Sequence, residues 1–97
     1  MREIVCSDDV LGGAPRIEGT RIGVRHVKER VVDGDEDPFA VAGEYDLDVS
    51  EVFAALAYYY DNLEAMRERE FEREDRLREI RKESADLRER GHVSEEA

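Results

Sequence analysis

The chain has 97 residues, 42 % of them charged, a formal net charge of −11 and a mean hydropathy of −0.71. That length holds one small domain with an appendage, and no run approaches the roughly 18 apolar residues of a membrane span. A single cysteine, Cys6, rules out an internal disulfide and reads as a small buried apolar residue, while His26 and His92 without a second cysteine make no zinc pattern.

Ile4-Val5-Cys6 is a short β-like run, free to pair with the following segment or with another chain. Gly12-Gly13-Ala14-Pro15-Arg16-Ile17-Glu18-Gly19-Thr20-Arg21-Ile22-Gly23-Val24 holds too much turn chemistry for a helix. Arg16-Ile17 and Thr20-Arg21-Ile22 read as the arms of a small hairpin around Glu18-Gly19, with Gly19 at positive φ. Val24, Val27 and Val31 recur at helical spacing, so a first helix is expected over Val24–Asp33, stopped by Gly34. Asp37-Pro38 is a favoured cap and first residue, opening a second helix to about Tyr45 that buries Phe39, Ala42 and Tyr45.

Asp46-Leu47 turns the chain, and Asp48 followed by Glu51 is a variant capping box that launches a third helix from Val49. Val52, Phe53, Leu56, Tyr59 and Tyr60 are expected to form its core face. From Leu63 the pattern changes. Leu63, Met66, Leu77, Ile80 and Leu87 share one a/d seam, Phe71 lies one step off it, and Glu72–Arg76, Glu74–Arg78 and Asp86–Arg90 are i,i+4 pairs. A long charged helix to about Arg90 is predicted, ended by Gly91, with a frayed tail His92–Ala97. The organisation read here is residues 1–23 strand and hairpin, 24–62 three-helix core, 63–91 extended helix and 92–97 tail: a mainly α chain with a short N-terminal β-hairpin.

The run Gly-x-Pro-Arg-Ile-x-Gly-Thr-Arg-Ile-x-Val, the helix after it, the Tyr45-centred turn and Ala54-Ala55-Leu56-Ala57-Tyr58-Tyr59 resemble the family catalogued as domain of unknown function 433, over roughly residues 4 to 66. The resemblance implies a three-helix, homeodomain-like (helix-turn-helix) core and the role of a predicted antitoxin, encoded beside a PIN-type nuclease toxin in a toxin–antitoxin system. The chain departs from the family in having Tyr45-Asp46 where Tyr-Pro is common, and in its long tail beyond Met66.

Twenty-six acidic residues face thirteen arginines and two lysines, Lys28 and Lys82, a balance that suits solubility in molar salt. It is read as that of a cytoplasmic protein from an extreme halophile, of archaeal type. Residues 35–66 hold nine acidic groups and no basic one, so the third helix offers nothing to base edges or phosphate. Arg16, Arg21 and Arg25, with Lys28 and Arg30, give residues 16–30 a local charge of +3, and Arg16, Arg21 and Arg25 are the candidates for DNA contact.

Asp8-Asp9 and residues 33–37 are the dense carboxylate clusters; the second could offer oxygen ligands to a hard cation but lacks calcium-loop spacing and reads as a solvated turn. No residue is assigned to catalysis, metal or cofactor. A non-catalytic binding protein is expected, with Leu63, Met66, Arg67, Phe71, Arg73, Leu77, Arg78 and Ile80 facing a PIN-like toxin. Arg69, Arg76 and Arg81 offer further arginines on the same helix. Pairing of this helix with its own copy in a homodimer, or DNA autoregulation by the hairpin arginines, are the alternatives.

Overall fold

A computed structural model describes residues 1–96, with side chains described through residue 89. The chain divides into two compact units, Met1–Leu63 and Glu64–Ala97. In the first, β1 (Ile4–Val5) pairs antiparallel with β2 (Arg16–Ile17), with Ile4 opposite Ile17 and Val5 opposite Arg16. Between them the backbone makes a left-handed turn over Leu11–Gly13, where Leu11, Gly12 and Gly13 all have positive φ. Leu11 accepts this conformation while its side chain lies against Gly23, where a Cβ would come within 3.4 Å of Leu11 Cδ1.

The expected Glu18-Gly19 turn is present. Thr20 N donates to Ile17 O (3.0 Å), Gly19 has φ +75°, and Ile17 N donates to Ile22 O (3.0 Å). The second arm of the predicted hairpin is a single bridge, Arg16 to Gly23; the ladder partner of β2 is the Ile4–Val5 run.

Helix α1 (Val24–Lys28) begins where Val24 N donates to Pro15 O (2.9 Å) and His26 Nδ1 accepts the Gly23 N–H (2.8 Å). It continues as a π-helical turn over Glu29–Asp33, so the single α-helix expected over Val24–Asp33 is corrected at this point. Gly34 does end the segment, with φ −88°, and the left-handed residue is Asp35 at φ +52°. Glycine is required at 34 by crowding, since a Cβ there would lie 2.8 Å from Arg30 O and 3.3 Å from Glu29 O.

Helix α2 (Pro38–Tyr45) starts as expected: Asp37 Oδ1 accepts from Phe39 N (2.9 Å) and Pro38 takes the first helical position. It ends on left-handed Asp46 (φ 56°). Helix α3 (Val49–Asp61) is opened by Glu51 Oε1 accepting the Asp48 N–H (2.8 Å).

The core is small and rich in valine: Ile17, Val24, Val27, Val41, Ala42, Leu47, Val52, Ala55 and Tyr59. Each larger member contributes about 1.5–3 kcal/mol by leaving water. Several expected core residues lie elsewhere. Phe39, Phe53 and Tyr60 are exposed, Leu56 and Tyr45 half-buried, and Cys6 exposed just after β1. Val41 and Ala55, which were not among the expected core residues, are fully buried.

Helix α4 (Leu63–Glu96) passes through Gly91 where a stop was expected. A glycine in a helix costs about 1 kcal/mol relative to alanine, which is a penalty and not a terminator. Ala97 of the expected tail lies outside the described residues. No helix is long and apolar enough to cross a membrane among the described residues.

Candidate interaction surfaces

The basic side chains of residues 1–34 are largely occupied by their own fold. Arg16 Nη1 donates to Thr20 O (3.2 Å) and Nη2 to Ser7 Oγ (3.0 Å), so this guanidinium ties the Glu18-Gly19 turn to the segment after β1. Arg25 pairs with Glu29 one turn on (3.0 Å) and lies 3.0 Å from His26 Nε2. Lys28 reaches Asp33 (3.0 Å) and covers the Tyr59 ring, 5.2 Å from its centroid. Arg21 is exposed and, of the three candidates for DNA contact, is the one with no described partner. The structure therefore brings Arg16 and Arg25 into intramolecular roles and leaves Arg21 facing outward.

Arg30 gathers three groups. Its Nε and Nη2 hold both carboxylate oxygens of Glu36 (2.8 and 2.6 Å), it also meets Glu44, and its guanidinium lies 5.2 Å from the Tyr45 ring centroid. The pairing raises the Arg30 pKa and holds the Glu36 carboxyl below the usual carboxylate range. This cluster ties the loop after the π turn to the end of α2.

The buried carboxylate of Glu51, 1 % exposed, was read from sequence as a cap alone. It also takes a fork from Arg2: Nε to Oε2 (2.8 Å), Nη2 to Oε1 (3.1 Å), and the Arg2 backbone N–H to Oε2 (2.8 Å). With the Asp48 N–H, four donors converge on one carboxylate. The Arg2 hydrogen bond first, and the Asp48 amide second, lower the Glu51 pKa to about 2. Among the described residues no three His, Cys, Asp or Glu side chains lie close enough to hold a metal ion.

Exposed apolar side chains line stretches of both α4 and α3. On α4, Phe71, Leu77, Ile80 and Leu87 are exposed at 67 %, 37 %, 56 % and 64 %. Arg67, Arg69, Arg73, Arg76, Arg78 and Arg81 are all exposed beside them. Arg78 lies 3.5 Å from Asp75, an i,i+3 pair. Two members of the expected partner-binding set differ: Met66 is buried at 4 % and Leu63 is half-buried, so the accessible apolar stretch begins at Phe71.

On α3, Phe53 and Tyr60 are exposed at 49 % and 55 %, with exposed Ala57 between them. Sequence reasoning placed both rings in the core. The signal was there in another form. This helix is apolar on every side, so periodicity cannot choose the inward face, and a helix of that kind needs more cover than its own domain supplies.

A family model described as protein of unknown function (DUF433) matches residues 4–59. Neither the curated proteins nor the solved structures contain a match.

Proposed function

The chain belongs to the DUF433 family, and on that premise we propose that it is a non-catalytic, antitoxin-like protein that binds and neutralises a PIN-like nuclease through α4. The observation that carries this reading is the mixed surface of α4, where exposed Phe71, Leu77 and Ile80 stand among six exposed arginines. An apolar anchor set flanked by arginines suits a cleft walled by carboxylates. The guanidinium is permanently charged and binds a carboxylate through two parallel hydrogen bonds, which lets it compete with a divalent cation. Arg67, Arg73 and Arg78 are the leading donors, with Phe71, Leu77 and Ile80 as anchors.

In this reading the first unit is a homeodomain-like scaffold that carries no chemistry. The excess of acid over lysine keeps it dispersed in the cytoplasm of a halophilic archaeon. DNA autoregulation is the second reading, and outward-facing Arg21 is the observation in its favour.

Co-expression of the full chain with the tagged product of the neighbouring gene tests the first reading. Co-purification is expected, lost in Leu77→Glu with Ile80→Glu while circular dichroism stays unchanged. Retention of the complex by that double variant sinks the assignment to α4. For DNA, a shift of the chain's own promoter fragment in near-molar potassium chloride, abolished by Arg21→Ala, would install the second reading.

A further inference from the structure

In a chain where 42 % of residues are charged, α3 carries two charges in its 13 residues. Glu51 is buried under Arg2, and Asp61 is the last residue of the helix. Between them Phe53, Ala57 and Tyr60 follow one another at i, i+4 and i+7, on one uncharged face exposed to solvent. We propose that this face is the seam of a two-fold homodimer, α3 lying antiparallel across α3 of a second copy.

Shape favours a second copy. A two-fold seam must match itself, and the order large–small–large does so when Ala57 sits at the axis. The small residue lets the two backbones approach, while Phe53 falls beside Tyr60 of the partner subunit and Tyr60 beside the partner's Phe53. Aromatic pairs in that relation prefer offset or edge-on geometry, which Tyr59 and Tyr60 already adopt within one chain (5.3 Å, 89°).

Charge favours it as well. Most of the surface of a chain at −11 repels its own kind, but this face presents no carboxylate until Asp61. The antiparallel crossing carries Asp61 away from its own counterpart, toward the N-terminal half of the facing helix, whose dipole welcomes an acid. Arg30 pairs with both Glu36 and Glu44, which leaves a single net negative charge among the three groups.

Area sets the strength. Two half-exposed rings offer about 100 Å² each, so four rings supply about 400 Å², short of the roughly 1,200 Å² or more of a stable specific interface, and the pairing is weak. The dimer is therefore concentration-dependent. The α3 seam is distinct from the α4 surface assigned to the nuclease, and the proposal stands without that assignment.

Sedimentation equilibrium of the full chain in molar potassium chloride, from about 5 to about 500 µM, tests it. The mass should climb from 11.2 kDa toward twice that value. Phe53→Glu with Tyr60→Glu, and separately Ala57→Arg, should stay monomeric across the range with unchanged helical circular dichroism. Leu77→Glu with Ile80→Glu should still dimerise. A wild-type chain that remains at 11.2 kDa throughout overturns the proposal. So does a dimer that survives both sets of α3 variants, or one dissolved by the α4 pair alone.

Discussion

Arg2 and Glu51 stand 49 residues apart in sequence and meet through two side-chain hydrogen bonds and a backbone one. The pair fastens the segment just ahead of β1 to the first turn of α3. A buried carboxylate is tolerable only when its lone pairs are filled, and here Arg2 supplies three of the four donors.

Removal of the fork should therefore be costly. Arg2→Ala strips two donors from a carboxylate that stays buried, and thermal unfolding should move down by roughly 5–10 °C. Glu51→Gln keeps a carbonyl acceptor for the Asp48 amide and should lose less. Differential scanning calorimetry of both variants checks the order.

Acid should expose the same contact. The Glu51 pKa is lowered from 4.5 to about 2, so its contribution is complete above 4.5 and is lost as pH falls toward about 2. Glu36, lowered by Arg30, adds a loss of the same sign. Urea midpoints measured down through that window should fall more steeply for wild type than for Glu51→Gln. Parallel slopes would remove Glu51 as a source of acid sensitivity.

Two glycines should respond in opposite senses to alanine. Gly34→Ala drives a Cβ to 2.8 Å from Arg30 O and should destabilise by about 1–3 kcal/mol. Gly43→Ala meets nothing within 4 Å inside α2 and should stabilise by about 0.5–1 kcal/mol. Chemical denaturation of both single variants reads the contrast.

The exposed α4 side chains should be indifferent to folding. Phe71→Ala and Arg73→Ala should leave stability within about 0.5 kcal/mol of wild type. Any binding defect they produce is then a defect of recognition, which the same denaturation curves establish.

Local chemistry was legible in the sequence. Asp37-Pro38, the Asp48–Glu51 box and the turn at Gly19 all formed where short-range rules place them, because each depends on residues within one turn of the chain. Long-range choices were not. Nothing near Glu51 announces that Arg2 will reach it, and nothing in Val24–Asp33 separates an α from a π turn. The exposure of Phe53 and Tyr60 was hidden because α3 has apolar residues on more than one face, and the buried one runs through Val52, Ala55 and Tyr59. Of the α4 surface, the arginines were legible as solvent-facing charges; the burial of Met66 was not, since a heptad count places a residue on a helix face and says nothing of its exposure.

The π turn at Glu29–Asp33 holds one more residue than regular winding needs, and Gly34 N closes it onto Glu29 O at 2.8 Å. Excising that surplus would give a smoother helix and a poorer protein. Every side chain beyond the cut would swing by about a hundred degrees, and Arg30 would face Glu36 and Glu44 from the wrong quarter. The irregularity works as a phase adjuster, setting the angle at which the rest of the molecule is dealt its partners.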